Sequence, residues 1–158
     1  MGKKKTFREK LAEETPDLPR VETISAGMSK QWGEGTIVIS TPREVDEIMR
    51  QVRKRKLITI NQIRETVAKR HNATIGCPMT TGIFARIAAG AAGEEEDEGK
   101  KRVTPYWRML KSGGELNAKY PGGLDEQKRR LELEGHAVIS KGRKLFVRDY
   151  EKSLASIA

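Results

Sequence analysis

The residues best equipped to hold a ligand lie at 104–110, where Thr104, Pro105, Tyr106, Trp107, Arg108, Met109 and Leu110 run together. Aromatic residues make up only 5% of the chain, yet two of them stand side by side here with an arginine next to them. Rings and a guanidinium are suited to stacking on a flat group. The same stretch also suits a strand packed in a core, and composition alone leaves both readings open. Residues able to do covalent or metal chemistry are sparse. The chain has 1 cysteine and 2 histidines, which excludes an internal disulfide and offers no zinc set, and nothing calls for a cofactor. Cys77 precedes a helix start at Pro78, where a helix N-terminus lowers a thiol's pKa. No base accompanies it in the sequence, so it reads as a buried structural thiol.

The chain has 158 residues, room for one domain and an arm, and 34% of them are charged. The net charge is +9 and the pI about 9.8, the balance expected of a protein that meets a polyanion. Residues 41–93 carry +6 of that charge, so contacts with a nucleic-acid backbone are sought there. No apolar run approaches the ~18 residues that span a bilayer, and no membrane partner is expected. The N-terminal MGKKKTFREKLAEE lacks the apolar core of a signal peptide. We therefore expect a soluble, cytoplasmic protein, associated with the nucleoid if its partner is DNA.

The elements that must position Tyr106 and its neighbours follow from local signals. Residues 1–40 read as a basic, irregular arm with one short strand at Thr36–Ile39, and Trp32 as a packing anchor. Residues 41–158 read as the folded domain. Thr41 and Pro42 open a helix over 42–53, with Val45, Ile48, Met49 and Val52 on one stripe. Thr59 and Gln62 form a capping-box pattern opening a second helix to about Arg70. A third spans about 78–92 and is rich in small residues: Thr80, Thr81, Gly82 and Ala85 leave little bulk on one face. Such a face suits close approach to a backbone or phosphate and equally suits tight packing on another helix. A charged loop or fraying helix end follows at 94–101. After a Gly-rich connection comes an amphipathic helix ending near Gly135. Two short strands then join at Lys141-Gly142. Helices followed by a hairpin give an α+β, mainly helical fold class: a winged helix-turn-helix with a C-terminal β-hairpin wing. Candidate backbone contacts are Arg53, Lys54, Arg55, Lys56, Thr59, Thr80, Thr81, Gly82 and Arg86.

The order of motifs from about Pro42 to Leu154 resembles the DNA-binding domain of the O6-alkylguanine-DNA alkyltransferases, above all their alkyltransferase-like relatives. LITINQIRET and PMTTGIFARIA are loose matches to the family's helix-turn-helix. TPYWRML, SGGELNAKYPGGL and LELEGH follow its strand, loop and Glu-Gly motifs in order and spacing. Tyr106 matches the family's nucleophilic cysteine, Trp107 the histidine that relays its proton, and Arg108 its largely structural arginine. Glu134 keeps the glutamate of the Glu-Gly pair. Ile60 stands where the family has a tyrosine that helps rotate the target phosphate. The arginine that fills the vacated stack falls near Met79, making Met79 the intercalating candidate. Cys77 matches nothing catalytic.

A phenol with a reference pKa of about 10 does not replace a thiolate activated by imidazole. The resemblance thus implies no enzyme and no cofactor, but a DNA-binding protein of DNA repair. It would flip an O6-alkylguanine into a pocket of Tyr106, Trp107, Arg108, Tyr120, Pro121, Gly122 and Gly123, and mark it for a repair-factor partner. The alternative is a winged-helix domain reused to bind RNA, a ribosome or a protein partner. Relocated chemistry at Cys77 or the Tyr106 hydroxyl ranks below both.

Overall fold

Local caps start the helices that carry the fold. In the computed structural model, which describes residues 4–157, α3 (Pro42–Arg50) begins where the Thr41 hydroxyl accepts the Glu44 amide at 3.1 Å, with Pro42 in the first turn. A full capping box opens α4 (Ile60–Arg70): the Gln62 amide donates to Thr59 Oγ1 at 3.3 Å, and the Thr59 amide to Gln62 Oε1 at 3.1 Å. Val45, Ile48 and Met49 are buried, as their spacing requires; the helix stops at Arg50, short of the expected 53, and Val52 is buried just past its end.

The long helix α5 (Pro78–Asp97) lies against them through Thr81, Ala85, Ala88, Ala89 and Ala92, whose small side chains let it approach α3 closely. Gly82 points away from that packing: it is exposed, and a Cβ there would meet nothing within 4 Å. The helix-packing reading therefore holds for Thr81 and Ala85, while Gly82 lies on the solvent-facing side. The acidic run 94–97 continues the helix rather than forming a loop.

Behind these helices, β3 (Ile58–Thr59) pairs in parallel with β5 (Met109–Leu110). Residues 106–108 form a turn of 3-10 helix leading into β5, so only the end of TPYWRML is strand. Helix α6 (Gly123–Leu133) ends before Gly135, whose φ of +94° is the left-handed conformation that glycine adopts at low cost. Strands β6 (Val138–Lys141) and β7 (Lys144–Val147) form the hairpin. Lys141 pairs with Lys144, so the turn is Gly142-Arg143, one residue beyond the expected position. Leu57, Leu110, Leu116, Leu131 and Val147 form the core that joins α6 and the hairpin to the helices. The architecture is α+β and mainly helical, with the hairpin in the wing position.

The first forty residues hold more regular structure than the expected single strand. They contribute α1 (Phe7–Ala12), β1 (Arg20–Thr23), α2 (Ala26–Trp32) and β2 (Thr36–Ile39). β2 pairs antiparallel with β1 and parallel with β4 (Ile75–Gly76), giving the order β1-β2-β4. The signals are weak for physical reasons. All of β1 is exposed, so it carries no apolar alternation, and β4 has only 2 residues. Trp32 packs beside Ile24, Ile37 and Cys77, in keeping with an anchor.

Candidate nucleic-acid interface and base cavity

The turn at 106–108 follows Pro105 and sinks Tyr106 into the core, where it is 1% exposed. Its ring meets those of Trp107 and Tyr120 edge-on, at 5.4 and 6.2 Å between centroids, and its hydroxyl donates to the Pro121 carbonyl at 3.4 Å. The remaining sliver of the ring reaches a cavity of about 820 Å³ between α5, the 119–122 loop and α6. Gly90 and Gly93 of α5, Pro121 and Gly122 of the loop, and Phe7 of α1 give it a partly apolar wall. Gly93 has to be glycine for the loop to sit this close, because a Cβ there would lie 2.7 Å from the Pro121 ring.

Part of the charge at the rim is paired, and among the described residues the side chains of Asp97, Lys119 and Asp125 make no hydrogen bond or ion pair. Arg130 bonds to Glu126 at 2.8 Å and to Glu96 at 3.0 Å, clamping α6 to α5, while its guanidinium lies 5.3 Å from the Tyr106 ring and 4.6 Å from that of Trp107. Hydrogen bonds from Arg129 and Arg130 hold the Glu126 carboxyl down at about 2. Burial pushes the Tyr106 phenol up to about 12; Arg130 opposes that and Glu96 adds to it. At neutral pH the phenol is protonated and is a poor nucleophile.

Trp107 and Arg108 turn away from the cavity, contrary to their expected place in its lining. The Trp107 indole donates to Glu134 Oε2 at 2.9 Å. The Arg108 guanidinium donates to the same carboxylate through Nη2 at 2.9 Å and through Nε at 3.0 Å, and to the Val52 carbonyl at 2.7 Å. The Arg55 amide donates to Glu134 at 3.1 Å. Burial pushes the Glu134 carboxyl up, but the bonds from Arg108, Trp107 and Arg55 outweigh it and hold the group below the usual carboxylate range. Both residues thus fasten Tyr106 to the end of α6 and to the α3–β3 turn. Tyr120 is likewise buried under the loop, donating to Met109 Sδ at 3.6 Å. Pro121 and Gly122 are cavity residues; Gly123 begins α6 beside them.

The backbone candidates separate in the same way. The Thr59 hydroxyl accepts the Gln62 amide in the α4 cap and is buried at 6% exposure, and the buried Thr81 hydroxyl donates to the Cys77 carbonyl at 2.6 Å, so burial turns both away from a phosphate. Thr80 is half-buried. Gly82 and Arg86 are exposed on the outer face of α5 with Met79 (69% exposed) and Ile83 (51%). Among the described residues, no hydrogen bond or ion pair holds the Arg86 side chain, which borders the cavity. Sequence reasoning missed Ile83, although positions 79, 83 and 86 share one helical face. Arg53, Lys54, Arg55 and Lys56 are exposed on the α3–β3 turn. Cys77 is buried in the N-terminal cluster, apart from the cavity. Among the described residues no group of three or more His, Cys, Asp or Glu side chains is placed to hold a metal ion, and no helix is long and apolar enough to cross a membrane.

No protein-family model matches the chain, and no curated protein matches it. A solved structure does: S. pombe Atl1 in complex with damaged DNA containing O6-carboxymethylguanine. The two folds superpose with a TM-score of 0.50 over 73% of this chain and 94% of that one. The likeness is one of fold. At 16% sequence identity it assigns no role to any side chain.

Proposed function

We propose that this chain is a non-enzymatic DNA-binding protein of the alkyltransferase-like kind, which takes an extruded O6-alkylated guanine into the cavity beside Tyr106. The observation that carries this reading is the cavity itself: about 820 Å³, next to the exposed face of α5, with the protonated Tyr106 phenol in its wall. A pocket of that size suits a purine and its substituent. The Atl1 structure supports it, because a protein of similar fold is seen there on DNA with a damaged guanine.

In this reading residues 41–158 form the nucleic-acid-binding unit. The face with Met79, Gly82, Ile83 and Arg86 enters the groove, its apolar tips wedging at the vacated step. The run Arg53 to Lys56 supplies phosphate contacts, and the protein holds the lesion for repair factors in the cytoplasm or on the nucleoid.

Fluorescence-anisotropy titration tests this with three ligands of equal length: duplex DNA with one O6-methylguanine, the unmodified duplex, and duplex RNA. The lesion duplex should bind about fivefold or more tightly than the unmodified one, as roughly 1–3 kcal/mol of stacking predicts. Equal affinity for the two DNAs overturns the lesion reading, and tighter binding to RNA favours a fold reused for RNA. Neutralising Arg53, Lys54, Arg55 and Lys56 should lower the slope of log K against log salt by about 0.9 for each phosphate that is no longer neutralised, alike for both DNAs.

A further inference from the structure

We infer that α1 is a structural wall of the base cavity, and that Phe7 supplies the aromatic surface against which the extruded alkylated base rests. This rests on the base-binding reading above and adds a residue from outside the winged-helix unit.

Phe7 is seated by two independent features. Its ring lies on Gly90: a Cβ at that position would fall 2.3 Å from two Phe7 ring carbons, and the three heavy atoms nearest to it all belong to Phe7. Its backbone is held by α5, since the Phe7 and Arg8 amides each donate to the Glu94 carboxylate at 3.0 Å. A carboxylate in that place satisfies amides that the helix leaves unpaired at its start. Arg8 then forks onto Glu98 with two bonds of 2.6 Å, and Arg43 reaches the Ala12 carbonyl at 2.7 Å, tying down the far end of α1.

The position of the ring matters because of what Tyr106 lacks. Tyr106 is 1% exposed and offers a ligand almost no face, whereas Phe7 is only half-buried and lines the same cavity, and the group over its ring, the Lys10 ammonium at 5.3 Å, belongs to an exposed side chain that a base would displace. A wall, not a plug, fits the space: about 820 Å³ stays open with α1 in place, within the range of ligand pockets. Beside Phe7 the wall is Gly90, Gly93 and Pro121, an apolar surface suited to a flat heteroaromatic ring whose exocyclic oxygen carries an alkyl group in place of a polar edge.

The test compares Phe7→Ala, Gly90→Ala and Phe7→Trp with the unaltered protein, titrating each with duplex carrying one O6-methylguanine and with unmodified duplex. Gly90→Ala dislodges the ring without altering it, and alanine is the better helix former, so that variant should fold; circular dichroism melts verify this. The ratio of lesion to unmodified affinity should fall roughly fivefold or more in Phe7→Ala and in Gly90→Ala, the lower end of one base–aromatic stack, and persist in Phe7→Trp. A ratio unchanged in the first two overturns the wall while leaving the base-binding reading intact. A ratio that rises in them makes α1 a plug, which also overturns it. Absence of any preference in the unaltered protein sinks the base-binding reading and this inference with it.

Discussion

Removing the Glu134 carboxylate should be the most damaging single change near the cavity. The group is 8% exposed and accepts the Trp107 indole, the Arg108 guanidinium and the Arg55 amide. Glu134→Ala leaves the Arg108 charge with one carbonyl, that of Val52, in a side chain only 14% exposed. Breaking a buried ion pair from one side costs about 3–5 kcal/mol, and the orphaned indole N–H adds about 1 kcal/mol. Some of this is recovered because water reaches the exposed part of Arg108, so we expect a loss of about 3–4 kcal/mol. For a domain of this size that lowers Tm by roughly 10 °C. The assay is urea unfolding followed by circular dichroism at pH 7. Glu134→Gln keeps the shape and one acceptor and should lose about half as much. The double variant Arg108→Met with Glu134→Leu removes both charges and should be milder than Glu134→Ala, since what is costly is the uncompensated charge. A loss below about 1 kcal/mol for Glu134→Ala, or a double variant worse than the single one, would refute the view that this network sets the position of Tyr106.

Two further outcomes follow from the same chemistry. Thr59→Ala should cost about 1 kcal/mol of stability and leave DNA affinity unchanged, because its hydroxyl caps α4; weaker binding at every salt concentration would restore it as a phosphate ligand. Burial holds the His136 imidazole below 6.5, with Arg108 adding and Glu134 opposing, and Glu134 itself lies below the usual 4.5. In both cases the unfolded chain binds protons first as pH falls, so stability, full above pH 7, should drop below pH 6.5 and again below 4.5. Glu134→Gln should reduce the lower step, to which Glu126, held down at about 2, also contributes, and an unaltered lower step in unfolding curves would contradict the assignment of Glu134.

Elements whose signals lie within a few residues were legible in the sequence. The caps at Thr41 and Thr59, the stripe from Val45 to Met49 and the stop at Gly135 depend on neighbours along one helix, and the structure agrees with each. The orientation of Trp107 and Arg108 was not legible, because it is fixed by a carboxylate 27 and 26 residues away. Phe7 was harder still: its partner Gly90 lies in another helix, and that glycine looks like any small residue in an alanine-rich run. Thr59 was open to two uses in the sequence, cap and phosphate ligand; its hydroxyl accepts the cap amide, and its burial, set by the packing around it, decides against the second.

The walls of the cavity differ in how firmly they are held. Helices α5 and α6 are tied into the cores, but α1 has 6 residues and none of them is buried. A helix that short does not persist in water, so it exists only while docked. Its amide protons should therefore exchange by local opening at a small fraction of the free energy that protects α5. A ligand resting on Phe7 would add to what holds this helix down, so binding should be visible as slowed exchange at residues 7–12.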